Sequence, residues 1–392
     1  MTADWTVVHI LTHSSTKRSA PEFNVKHGWH ARLGRAIDEY AELNTDIECW
    51  SVDYGHDVPH TETEDGIVYR SFPSRQPLPT IPWIEHRLPT IKYVRRTFDF
   101  SIPLLRKVRE YVRSDKNVAF HFHSLTYLNT YLLTELFRDA PIFLQHHGGL
   151  RGIPIFDRTV YPHADHVFVI TELKRQRLIE KAGLPADQVT VRPMGFDPKT
   201  YSPEAVEPSD LGFTEDELLF YIGPLDSSKG FDRILSAFKS IRENRDVGLV
   251  ALCHNSSQPL YSEVKKTEGA YPLTEFLETR EVVQYYNAAS AYVSYPLSNS
   301  SLAGGGGLIS PVESLACGTP TVSSVARFFP SSTDGVYAEL DRSSDLADEI
   351  SNMLEHPPEL DSCREFAVEH FSWANVAADV GQTYTKTLGI ER

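Results

Sequence analysis

Three stretches of the chain gather residues that do chemistry. In GGGGLISPVESLACGTP, residues 304–320, four glycines run into a short helix-like segment whose early turn carries one carboxylate, Glu313. Glycines let a backbone approach a ligand closely and offer several N–H donors, so the stretch suits an anion. A carboxylate just beyond can accept two hydrogen bonds from vicinal hydroxyls, as ribose offers. It can equally be a first-turn acid favoured by the helix dipole, worth ~0.3–1 kcal/mol. In YIGPLDSSKGFDRILSAF, residues 221–238, Gly223 ends a strand and Lys229 precedes an amphipathic helix. A lysine there places a point charge on a phosphate whose oxygens meet backbone N–H groups. The plainer reading is a solvated surface lysine. The third group is imidazole. HFHS sets His121 and His123 on one face of a strand and Phe122 on the other, and QHHGG ends the next strand on His146 and His147. Imidazoles at i and i+2 can ligate a metal, but no carboxylate or cysteine stands at a matching spacing, so no metal site is expected.

Strands and helices must alternate to hold these residues. WTVVHIL, NVAFHFHS, PIFLQHH, ADHVFVIT and QVTVRPM read as strands, separated by helical segments such as GWHARLGRAIDEYAEL and ELKRQRLIEKAG. That alternation predicts a parallel sheet covered on both faces, hence an α/β fold. A polar, proline-containing stretch near residues 202–216 marks a boundary, after which LLFYIGPL, VGLVALCH and AYVSYPL restart the pattern. The expectation is two Rossmann-like, doubly wound domains, 1–203 and 204–373, facing a central cleft, with the final helix, 374–392, crossing back to the first.

Composition narrows the function. The 392 residues are 41% hydrophobic and 23% charged, with a net charge of −15. Such an acid excess argues against a nucleic-acid partner, which needs a positive footprint. No apolar run reaches the roughly 18 residues of a membrane span, and the N-terminus lacks a signal-peptide layout. The four cysteines show no CxxC spacing, which fits a reduced, cytoplasmic setting. Against this acidic background, IPWIEHRLPTIKYVRRTF, residues 81–98, mixes Arg87, Lys92, Arg95 and Arg96 with Trp83, Tyr93 and Phe98. It suits peripheral contact with an anionic membrane and admission of a lipid-linked acceptor, or an ordinary solvated loop and helix. In the loop after the first strand, His13, Lys26 and His30 are polar candidates for the acceptor side.

Together these stretches resemble glycosyltransferase family 4, of the GT-B fold. GPLDSSKGFD stands where that family tends to read G-R-L-x-x-x-K-G-x-D, and GGGGLISPVESLACGTPTV where it reads E-G-F-G-L-x-x-x-E-A-x-A-x-G-x-P-V-V. YYNAASAYVSYPL and FSWANVA resemble its further motifs in the expected order. The resemblance implies a retaining hexosyltransferase that moves sugar from a nucleotide-sugar donor to the hydroxyl of a glycan or lipid-linked acceptor, with no metal or other cofactor. It assigns Lys229 to the donor diphosphate and Glu313 to the ribose. Gly223, Gly305, Gly306, Gly307 and Leu308 would lie near the phosphates, and His147 beside the sugar. Two departures follow from the same resemblance: Pro224 replaces the arginine usually paired with the lysine, for which Arg327 is a candidate substitute, and the family's first glutamate falls on Gly305, or on Gly304 when the one-residue insertion before Glu313 is counted. These leave open a GT-B-shaped binding partner without activity, and a nucleotide-sugar epimerase as a third reading.

Overall fold

The computed structural model describes residues 5–12, 26, 28–53, 57–75, 97–123, 125, 127–147, 159–253, 255–295, 309–324, 336–339 and 345–390. The described residues within Met1–His147, Arg151–Arg192 and Val376–Arg392 form one compact unit, and those within Pro193–Asn375 a second.

The first unit holds β1 (Trp5–Leu11), β2 (Thr45–Asp53), β3 (His60–Glu64), β4 (Ile67–Pro73), β5 (Val118–Phe122), β6 (Ile142–His146), β7 (His166–Val169) and β8 (Val189–Val191). They lie in the order β3-β4-β2-β1-β5-β6-β7-β8, parallel throughout except for β3 against β4. The central strands are buried along their whole length, as continuous apolar runs in a doubly covered sheet are. Helix α1 (Trp29–Tyr40) buries Ala31, Leu33, Ala36 and Ile37 at helical spacing. Ser101 starts α2 (Ile102–Val112) by accepting the Leu104 N–H at 3.3 Å. After α3 (Leu128–Leu136), Thr171 caps α4 (Glu172–Arg177), which widens into a π-turn over Leu178–Ala182 and stops at Gly183.

The second unit holds β9 (Glu217–Ile222), β10 (Val247–Leu252), β11 (Ala270–Leu273), β12 (Ala291–Ser294), β13 (Thr321–Ser323) and β14 (Tyr337–Glu339). Their order is β11-β10-β9-β12-β13-β14, all parallel. Between and after them run α5 (Phe231–Arg242), α6 (Tyr261–Lys266), α7 (Thr279–Ala288), α8 (Ile309–Ala316), α9 (Leu346–Glu355) and α10 (Leu360–Phe371). Leu219, Phe231, Ile234, Phe238, Leu249, Val293 and Ile350 share one of its cores.

The division between units falls at Arg192, ahead of the polar stretch that the sequence marks. The reason lies in residues 193–203. There the Phe196 N–H donates to the Phe371 carbonyl at 3.0 Å, and Arg364 Nη2 donates to the Pro198 carbonyl at 2.8 Å. Helix α11 (Trp373–Leu388) carries the chain into the first unit, where Val376, Ala377, Val380, Tyr384 and Leu388 are buried. All four cysteines are buried and free. Among the described residues, no helix is long and apolar enough to cross a membrane.

Candidate functional site

In the second sheet the chain starts at β9, builds outward through β10 and β11, then returns to β9's other side with β12. The strand order thus reverses between the neighbouring strands β9 and β12, and parallel sheets of this kind bind ligands at the carboxyl ends of the strands beside such a reversal. Both sequence-predicted donor groups follow these two strands. After β9, Gly223 sits at φ +152°, and the Tyr221 hydroxyl donates to the Pro224 carbonyl at 2.8 Å. Asp226 Oδ1 then accepts the Lys229 N–H at 3.1 Å and fixes a single 3-10 turn. Among the described residues the Lys229 ammonium has no carboxylate partner within ion-pair distance. Gly230, at φ +68°, presses the turn onto the end of β12: a Cβ there would lie 2.0 Å from the Tyr295 carbonyl oxygen. Only glycine meets both demands. On the first turn of α5, Arg233 Nη1 donates to the Tyr295 hydroxyl at 3.0 Å, its guanidinium 5.1 Å from the ring centroid. Sequence reading passed over Arg233, although it stands four residues after Lys229.

Glu313 lies on α8, which follows β12. The Tyr286 hydroxyl on α7 donates to Glu313 Oε2 at 3.0 Å. Burial, with the Glu313 charge adding to it, holds the Tyr286 phenol well above its ordinary range, so it stays a donor.

The first sheet changes direction between β1 and β5. Here the imidazoles gather. His9, His121 and His123 are fully buried, while His147 is half-buried. His9 Nδ1 lies 3.0 Å from His123 Nε2, and His123 Nδ1 lies 3.0 Å from His147 Nε2. The Tyr384 hydroxyl on α11 lies 2.5 Å from His121 Nδ1 and 3.4 Å from His9 Nε2. Burial lowers the pKa of His9 to about 3 and those of His121 and His123 well below 6.5, so all three are neutral.

Candidate ligand nitrogens of His9, His121 and His123 lie within 4.8 Å of one another. A metal needs each lone pair aimed at one point in the plane of its ring, at about 2.0–2.1 Å for zinc. His121 and His123 instead stack, centroids 4.4 Å apart and planes 26° apart, which favours hydrogen bonding over ligation. Tyr384 and His9 were not picked out from sequence, because their partners lie more than a hundred positions away.

His30 is fully buried on α1, its ring 6.0 Å from that of His123. Lys26 pairs with Glu62 at 3.2 Å and Glu64 at 2.5 Å. Gly305, Gly306, Gly307, Leu308, Arg327, His13, Arg87, Lys92, Arg95 and Arg96 lie outside the described residues.

Comparison with known proteins shows what the chain is similar to. Residues 205–370 match the model of glycosyl transferases group 1. A D-inositol 3-phosphate glycosyltransferase from Corynebacterium aurimucosum is 28% identical over 60% of this chain and 60% of its own length. The chain thus spans about 60% of the length of that curated relative. Among solved structures, the sucrose-phosphate synthase of Thermosynechococcus elongatus aligns over 98% of this chain and 99% of its own, with a TM-score of 0.67 at 17% identity. A structure described as trehalose-6-phosphate from E. coli bound with UDP-2-fluoro glucose aligns over 98% of each chain, with a TM-score of 0.63 at 12% identity. Residues 205–370 thus resemble a glycosyl transferases group 1 domain, and the chain that carries them has the GT-B fold.

Proposed function

We propose that the chain is a retaining hexosyltransferase that moves sugar from a nucleotide diphosphate to an acceptor hydroxyl without a metal. The observation that carries this reading is that Lys229 follows β9 and Glu313 follows β12, two neighbouring strands at the reversal of strand order, inside the family-matched segment. The Lys229 ammonium and nearby backbone N–H groups take the diphosphate, whose charge grows as the sugar departs. Glu313, oriented by Tyr286, accepts hydrogen bonds from the ribose hydroxyls. The family resemblance assigns His147 to the sugar. The acceptor attacks from the face the diphosphate leaves, and a phosphate oxygen takes its proton. Glycan or lipid-linked acceptors, met at the inner face of a membrane, are the substrate class of choice.

One observation favours a second reading, an inactive binding partner: Pro224 offers only a carbonyl where the resemblance expects a guanidinium. Loss of a charge-assisted phosphate contact costs ~1.5–3 kcal/mol. NMR of the full chain with single nucleotide sugars separates the two. Binding of one donor with slow release of the α-sugar supports the transferase. No binding to any donor, restored by Pro224→Arg, supports the partner.

A further inference from the structure

The second unit holds a guanidinium that an aromatic ring fixes and that no anion neutralises. Arg233 stands on the first turn of α5, where its N–H donates to the Gly230 carbonyl at 3.1 Å. Its Nη1 donates to the Tyr295 hydroxyl at 3.0 Å, and its guanidinium carbon lies 5.1 Å from the ring centroid. Tyr295 directly follows β12 and is buried, so its ring is a fixed support. Gly230 is pressed against the carbonyl of the same tyrosine. The turn that carries Lys229 and the ring that supports Arg233 are thus packed together where the strand order reverses. A guanidinium has five N–H donors, and the Tyr295 hydroxyl takes one. Among the described residues no carboxylate lies within ion-pair distance of Arg233. Other arginines of this unit do meet carboxylates: Arg242 meets Glu215 at 3.3 Å, and Arg245 Nη2 meets Glu217 at 2.7 Å. Arg233 is also exposed, so its four remaining donors are within reach of a ligand. A planar fork of this kind suits phosphate oxygens. Pro224 offers nothing comparable, since it has no N–H and its carbonyl already accepts from Tyr221.

We propose that Arg233 gives the donor diphosphate the guanidinium that Pro224 does not, from the first turn of α5 instead of the loop after β9. This rests on the reading of Lys229 and Glu313 as donor-site residues. The diphosphate then meets two cations of different kinds. Lys229 is a mobile point charge, and Arg233 is a fork whose orientation Tyr295 sets. The departure at Pro224 moves a positive charge within the site and does not remove it.

The test is titration calorimetry of the full chain with UDP, GDP and ADP, the tightest of the three being carried into the variants. Arg233→Gln keeps a donor for the Tyr295 hydroxyl and removes the charge. It is expected to weaken binding roughly tenfold to hundredfold, as for one lost charge-assisted hydrogen bond. Pro224→Arg in that background restores the affinity. In the otherwise wild-type chain Pro224→Arg gains at most about threefold, because the two guanidinium groups serve one ligand and their effects do not add. Unchanged affinity in Arg233→Gln beside a loss in Lys229→Met overturns the proposal and leaves the donor-site reading standing. A loss in Arg327→Gln with none in Arg233→Gln does the same and gives the role to Arg327. Should Arg233→Gln not fold, the otherwise wild-type chain decides: a gain of about tenfold or more from Pro224→Arg shows that the guanidinium was missing, and overturns the proposal. No binding of any of the three nucleotides to the wild type overturns the proposal together with the donor-site reading.

Discussion

Glu313 gives one oxygen to the Tyr286 hydroxyl at 3.0 Å, which turns the carboxylate rather than neutralising it. If it holds the ribose, Glu313→Ala weakens nucleotide-sugar binding by roughly tenfold to a hundredfold, the ~1.5–3 kcal/mol of hydrogen bonds to a charged group. Isothermal titration of the full chain measures this, and unchanged affinity would remove Glu313 from the donor site. Lys229 and Glu313 were singled out in the sequence because each follows a strand and stands near glycines in the chain. The His9–His123 link was not legible, since it joins residues 114 positions apart. His121 and His123 could be placed on one strand face from their spacing, but nothing local says what they meet there.

Among the elements, the Lys229 turn depends on contact between two loops. Gly230→Ala faces both the left-handed backbone and the Tyr295 carbonyl oxygen at 2.0 Å. Gly66, at φ +84° with nothing within 4 Å of an added Cβ, faces only the first. Gly66→Ala is expected to cost about 1–2 kcal/mol, and Gly230→Ala about 1–3 kcal/mol more through the overpacked contact. Paired denaturant titrations check the difference, and equal losses would mean that the turn yields without strain. The same turn chemistry explains an element missed from sequence. The strand β3 is HTETE, with no apolar alternation to reveal it. It exists because Asp65 and Gly66, both at positive φ, close a two-residue hairpin onto β4. The Asp-Gly pair was the available signal. Long apolar strands such as β1 and β6 needed no such clue. The short α6 escaped because six residues hold too little periodicity to register.

For the whole molecule, buried neutral histidines link folding to pH. His9 has its pKa lowered to about 3 in the fold, and His121 and His123 lie well below their ordinary 6.5. Below pH 6.5 the unfolded chain binds protons that the folded chain refuses. Stability from these groups is therefore present above pH 6.5 and lost as pH falls toward 3, by about 1.4 kcal/mol per pH unit for each ring. Chemical unfolding followed between pH 7.5 and 5.5 should show the midpoint falling below pH 6.5. In His123→Gln the slope is expected to lessen by one ring's share, at most about 1.4 kcal/mol per pH unit, and an unaltered slope would place the pH dependence elsewhere. The two-domain α/β plan was readable from strand and helix alternation. Where one unit ends was less so, because residues 193–203 look like a linker yet are held by α10 through Phe196 and Pro198.

Helix α11 has a further consequence, which concerns time. Residues 376–390 complete the unit that begins at Trp5, yet the ribosome makes them after all of residues 193–375. At ~5–20 residues per second, roughly 10–40 s pass between the end of β8 and the arrival of Tyr384. During that interval the second unit can already fold on its own contacts. The first must wait with its histidine-lined interior uncovered, so the earliest residues made are among the last to be sealed.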